Sequence, residues 1–259
     1  MFFETDEQRM KAFIKLSHIG GSRADYVQGG GGNTSVKLKN GNMAIKASGF
    51  CLKDITESNG YAMLDGDALR SFYREHNPED FSDCEEAGAR CTKENILTME
   101  GLPTLRPSVE AGFHSLLKTY VLHTHSVFAN LAACTVGGKE VAKEAFKYAP
   151  YSWGWADYQD PGAKLAFAIR DELIRVEQET GRMPAVIIMQ NHGIIVHDDD
   201  AVSCLAIHAD ANVRLAAHYG LAENAFPRVT IDELAGGVYR ASTPYLKENM
   251  ENVRSCVKT

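Results

Sequence analysis

The sequence has no apolar run approaching the roughly 18 residues that a bilayer span requires. It has no C-x-x-C pair, and its six cysteines, Cys51, Cys84, Cys91, Cys134, Cys204 and Cys256, are scattered. The opening stretch, MFFETDEQRMKAF, shows early acids rather than the basic-then-apolar order of a secretion signal. These absences argue against a membrane span and against a disulfide scaffold. Reduced thiols in a cytoplasmic protein are the expectation, with no catalytic role for any cysteine. Basic residues are also in deficit. A net charge of −7 removes the electrostatic case for nucleic acid or an anionic membrane as partner. A local pocket can still take an anionic small molecule. No internal repeat, low-complexity linker or sharp boundary interrupts the chain. Its 259 residues, 44% apolar and 24% charged, suit an ordinary globular protein, expected as a single domain over 1–259.

Periodicity supplies the elements. Met10, Phe13, Ile14 and Ile19 among charges predict an amphipathic helix over 5–18, stopped by Gly20–Gly21. Val36 and Leu38, then Met43, Ile45 and Ala47, alternate on either side of Asn40–Gly41, which predicts a β-hairpin. From about Asp65 to Gly101 the chain is polar and reads as a short helix, an exposed loop and a return strand, an insertion on the main fold. A helix over 108–118 precedes a strand at Tyr120–His125 and a helix through about Cys134. Leu165, Ile169, Leu173 and Val176 share a helical face that ends before Gly181. PAVIIMQ and IIVH read as buried strands, and DDDAVSCLAIHADANVRLAAHYG as an acid-capped helix. The tail from Phe226 reads as a short strand or turn plus a helix packed on the body. The aromatic YSWGWADY stretch is expected in core or subunit packing.

Within this frame YVLHTHSVF stands out. In a strand His123 and His125, two residues apart, point to one face and can converge on one ion. Paired histidines also occur as satisfied core residues or ordinary surface groups. His192, in QNHGI after a buried strand, is either a hydrogen-bonded core residue or a third imidazole. Three imidazoles with an open position suit catalytic zinc or a similar cation. Glu110, in RPSVEAGFH, is either a first-turn acid of a helix capped by Ser108 or a carboxylate that moves a proton beside that cation. GGGGNTS is a flexible connector or a nest whose amides, with the Asn33 amide and the hydroxyls of Thr34 and Ser35, hold a phosphate. It is neither a P-loop nor a dinucleotide fingerprint. Ser48 and Gly49, just after the hairpin, can reach the same anion. His18, His76, His114, His197, His208 and His218 receive no site role.

GGGNTSVK, IKASG, RPSVEAGFH, LHTHS and QNHGIIV appear in this order, and together they resemble the class II aldolase/adducin family from roughly Tyr26 to Gly220. Within it the chain is most similar to the fuculose- and rhamnulose-1-phosphate aldolases. The resemblance implies a three-layer α/β/α fold with a central mixed, largely antiparallel sheet, and a homotetramer. It implies zinc, with Mn2+, Co2+ or Ni2+ accepted by the same ligands, held by His123, His125 and His192. Glu110 matches the family's proton-shuttling acid. Asn33, Ser48, Gly49 and Ser108 fall where members hold a substrate phosphate, and Thr34 is counted with them. The implied activity is that of a class II, metal-dependent aldehyde-lyase. It would cleave a fuculose-, rhamnulose- or ribulose-1-phosphate-type ketose reversibly to dihydroxyacetone phosphate and a small aldehyde, through a metal-stabilised enediolate.

Two departures matter. Val109 stands where many fuculose-type sequences have a second serine, so one phosphate hydroxyl is gone. No tyrosine acid from a neighbouring subunit is carried over, although Tyr148, Tyr151 and Tyr158 lie in the region. The family also contains sugar-phosphate epimerases, dehydratases and decarboxylases. Glutamate at 110, rather than the aspartate of the epimerases, favours aldol cleavage. A metal-free binding module like the adducin heads is the alternative from another class.

Overall fold

A computed structural model describes residues 4–221 and 230–242 of the chain. Contacts divide it into two units, Met1–Tyr219 and Gly220–Thr259. In the first unit the helices are α1 (Asp6–Gly21), α2 (Gly66–Glu75), α3 (Cys84–Glu94), α4 (Ala111–Leu116), α5 (Val127–Ala133), α6 (Gly138–Ala145), α7 (Ala163–Thr180) and α8 (Ala201–His218). The strands are β1 (Asn33–Lys37), β2 (Asn42–Lys46), β3 (Tyr61–Asp65), β4 (Ile96–Leu97), β5 (Tyr120–Thr124), β6 (Trp153–Ala156), β7 (Val186–Met189) and β8 (Gly193–Asp198). They form one eight-stranded sheet in the order β4-β3-β2-β1-β5-β8-β7-β6. Every pairing is antiparallel except β6 with β7, which is parallel. The sheet is therefore mixed and largely antiparallel, as the resemblance implied.

Strand alternation creates the layers, because successive side chains point to opposite faces. Val36, Ala44, Leu122, Val186, Ile188, Ile194 and Val196 pack with Phe13 and Leu16 of α1, Phe128 of α5 and Leu215 of α8. Val121, Ile187 and Ile195, on the other face, pack with Tyr73 of α2, Phe113 of α4 and Phe167 of α7. Met43, Ile45 and Leu64 extend this second layer with Leu69 of α2 and Ala111 of α4. Helices thus cover both faces of the sheet, a three-layer α/β/α arrangement.

Two local expectations change. Helix α1 opens with a reciprocal cap between Thr5 and Gln8 but runs through Gly20–Gly21 instead of stopping there. A Cβ on Gly20 would lie 2.8 Å from a methyl of Leu122, so the glycine serves close packing of helix on sheet. The expected exposed loop in the polar stretch contains α3, and YSWGWADY contributes β6 at the sheet edge. In the second unit β9 (Thr230–Ala235) and β10 (Val238–Ser242) form an antiparallel hairpin. The remainder of the expected strand-and-helix tail lies outside the described residues.

Candidate metal centre

The centre forms where β5 ends beside the β7–β8 turn. His123 pairs with Asn33 of β1 on one side and with Ile195 of β8 on the other, in the middle of the sheet. Leu122 and Thr124 face α1 and α8, so the side chain of His123 faces the α4 layer. His125 follows the strand on the same parity. His192 enters from the turn between β7 and β8, where Asn191 adopts a left-handed φ of 54° and its amide donates to the Ala133 carbonyl at 2.9 Å. That backbone conformation is uncommon outside glycine, though asparagine tolerates it better than most.

The three rings close on one another. Their centroids lie 5.0 Å (His123–His125), 4.9 Å (His123–His192) and 5.1 Å (His125–His192) apart. One ring nitrogen from each lies within 4.8 Å of those of the other two. His123 Nδ1 donates to the Ile194 carbonyl at 3.0 Å, a bond that orients the ring and leaves Nε2 with its lone pair. His123 Nε2 and His192 Nδ1 are buried without a hydrogen-bond partner. Leaving buried polar atoms unpaired costs free energy. Three imidazoles and a carboxylate therefore fit a divalent cation of the zinc type, which His123, His125 and His192 would hold.

Glu110 completes the cluster and does not cap its helix. It occupies the N-cap position of α4, yet its side chain makes no capping bond. Its Oε1 lies 3.1 Å from His192 Nε2 and 3.7 Å from His123 Nε2. Its Oε2 accepts a bond from the Asn33 side-chain amide. Burial by itself would raise the Glu110 carboxyl, but His123 and His192 outweigh it and bring the pKa down to about 2. Burial pushes His123 down to about 4, and burial together with His192 lowers His125. The carboxylate is thus ionised, while His123 and His125 are held on the unprotonated side that metal ligation needs.

The remaining expected site residues separate. Asn33 reaches the cluster through Glu110. Ser108 Oγ, two residues before Glu110, accepts from the Glu110 amide at 3.3 Å. Ser48 and Gly49 lie on the turn after β2, and the Ser48 amide donates to the Arg106 carbonyl at 2.8 Å. Thr34 is not brought in. Its side chain alternates to the α1 face, where its hydroxyl shares a 2.6 Å bond with Ser17. The GGGGNTS stretch does more than connect: a Cβ on Gly31 would come within 2.9 Å of His125 Nδ1, so this loop packs against the His125 ring.

Two residues went unnoticed in the sequence: Arg106, bonded to Ser48, and Lys46, which is felt by Glu110 and His125. Lys46 Nζ donates to the Phe50 carbonyl at 2.8 Å, and burial lowers its pKa against the opposing influence of Cys51 and Glu110. The available signal was parity: Lys46 shares a strand face with Ala44, where alternation expects a buried side chain. His18, His76, His114 and His208 each hydrogen-bond within the body.

Residues 13–211 match the family model described as the class II aldolase and adducin N-terminal domain. The chain belongs to this family. Its aldolases are metal-dependent, which agrees with the histidine cluster. No curated protein matches the chain by sequence. Among solved structures, the family member is similar to the N-terminal class II aldolase domain of a conserved Thermoplasma acidophilum protein. That pair shares 21% identity over 85% of this chain and 96% of the other, with a TM-score of 0.64. YgbL from Klebsiella pneumoniae, described only as an aldolase, epimerase or decarboxylase, shares 15% over 86% and 93%, with a TM-score of 0.56. An L-fuculose 1-phosphate aldolase shares 16% over 97% and 98%, with a TM-score of 0.52. At these identities the likeness is one of fold. Among the described residues no helix is long and apolar enough to cross a membrane.

Proposed function

We propose that this class II family member is a lyase that cleaves a ketose 1-phosphate of the fuculose, rhamnulose or ribulose type, reversibly, to dihydroxyacetone phosphate and a small aldehyde. The observation that carries the reading is the convergence of three imidazole nitrogens within 4.8 Å of one another beside the Glu110 carboxylate. A divalent cation in that cluster supplies Lewis acidity, lowering the cost of negative charge on neighbouring substrate oxygens.

The chain's own residues do the rest. In cleavage the C3–C4 bond breaks, its electron pair stays with the C3 fragment, and the C4 hydroxyl gives its proton to the ionised Glu110 carboxylate as the aldehyde forms. Glu110, protonated in that step, delivers the proton to C3 and returns to the carboxylate; in the synthetic direction the same carboxylate removes it. Asn33, bonded to Oε2, fixes the carboxylate's orientation and leaves Oε1 on the histidine side. The phosphate is assigned to Asn33, Ser48, Gly49 and Ser108. Zinc is the resident ion in this reading, with manganese, cobalt or nickel as substitutes. The working assembly is a cytoplasmic homotetramer, and 1–259 acts as one catalytic domain.

The test combines metal analysis with an assay of dihydroxyacetone phosphate released from fuculose-, rhamnulose- and ribulose-1-phosphates. His123→Ala, His125→Ala and His192→Ala are each expected to abolish both bound metal and release. Full activity in any of the three removes that residue from the centre. Metal binding without release of dihydroxyacetone phosphate from any of these sugars directs the site to the family's epimerase, dehydratase or decarboxylase chemistries.

A further inference from the structure

Arg106 is fastened to the Ser48–Gly49 turn at three points. The Ser48 amide donates to the Arg106 carbonyl at 2.8 Å, Ala47 and Pro107 form an antiparallel bridge, and Arg106 Nη2 donates to Ser48 Oγ at 2.8 Å. The backbone contacts set where the side chain begins, and the last contact sets where its planar end lies. The bond to Ser48 uses one of the five N–H groups that a guanidinium carries. No carboxylate pairs with Arg106 among the described residues.

The surroundings are open. Arg106, Ser108 and Val109 line a cavity of about 560 Å³. Nothing lies within 4 Å of where a Cβ on Gly49 would project. Val109 is 65% exposed there, an apolar side chain at a position the phosphate reading would fill with a donor. The subsite is one hydroxyl short, and a fixed cationic fork stands three residues before the gap.

We propose that Arg106 is the specificity-determining contact for the anionic end of the substrate, supplying the donor capacity that Val109 cannot. The inference rests on the ketose-phosphate reading and deepens it. A phosphate monoester presents two oxygens that a guanidinium engages side by side, with charge assistance that a serine hydroxyl lacks. Discrimination between a phosphorylated ketose and its free sugar is then carried chiefly by one arginine.

The test compares the wild-type protein with Arg106→Gln and Arg106→Lys at matched metal content. Two quantities are read: kcat/KM for a ketose 1-phosphate relative to the same unphosphorylated ketose, and the affinity for inorganic phosphate by calorimetry. Arg106→Gln is expected to lower both by about tenfold or more. Arg106→Lys falls between, because it keeps the charge and loses the fork. Equal losses on phosphorylated and free sugar, or unchanged phosphate affinity in Arg106→Gln, overturn the proposal. Should the wild type cleave no ketose phosphate, the functional reading fails by itself. Phosphate titration of the three proteins then still decides the role of Arg106, with no binding by the wild type counting against it.

Discussion

Glu110 is a carboxylate placed at a helix start and then denied the work that position usually gives it. Its oxygens go to His192, His123 and Asn33 instead of to the free amides of α4. The arrangement separates two roles that a substitution can tell apart. Glu110→Gln keeps the shape and one acceptor oxygen but loses the charge and the exchangeable proton. Metal content is expected to persist at least in part, measured by atomic absorption, while turnover falls by two orders of magnitude or more, the typical scale for loss of a general acid–base group. An unimpaired rate would return this acid to a structural role. At the same scale, the His123–His125 pair was legible because i and i+2 on a strand share a face, a local rule that needs no tertiary knowledge. The side chain of Thr34 obeys that rule in the opposite sense. It neighbours Asn33 in sequence and faces the other layer, so proximity in the motif misled where parity would have served. Arg106 was invisible for another reason: its meaning comes from a bridge to Ser48 across the fold, which no local pattern announces.

At the scale of elements, the strands and long helices were readable because their apolar residues repeat at the right period. Helix α3 was not, since only Cys84, Ala87 and Gly88 are buried and the rest reads as a polar loop. The helix nevertheless has a structural task. Gly162, at the start of α7, offers no side chain for capping, and Glu85 of α3 supplies the acceptor: its two oxygens take the amides of Ala163 and Lys164, each at 2.8 Å. A cap delivered from another helix leaves no signature beside the helix it serves. Replacing Glu85 with alanine strands two first-turn amides and is expected to cost about 1–2 kcal/mol, the range for losing a helix cap. Chemical denaturation checks this as a lower midpoint with an unchanged slope. A midpoint equal to wild type would mean that water satisfies those amides equally well.

For the whole molecule, two buried imidazoles outside the centre tie stability to acidity. Burial pushes His197 and His208 down to about 3 each, with Lys37 and Arg23 respectively adding to the effect. His208 is further engaged by the Thr124 hydroxyl at 2.7 Å. In the unfolded chain both would titrate near the ordinary histidine value of roughly 6.5. Above that pH both states are neutral and the two groups contribute no pH dependence. Below it the unfolded chain takes up protons that the folded chain refuses, so stability falls from about pH 6.5 downward until the folded values are reached. The slope is up to about 1.4 kcal/mol per pH unit for each histidine. Denaturation midpoints at neutral pH and near pH 5 test this, and a flat profile would show that these rings accept protons without unfolding.

The position of the centre also orders events in time. Asn33 meets His123 only when β1 joins β5, and His192 arrives beside them only when β8 closes on β5. An unfolded chain offers a cation two neighbouring imidazoles and nothing else from this set. Ion capture at this cluster would therefore follow sheet closure, and a nascent chain finds these distant pairings before three imidazoles can meet on one cation.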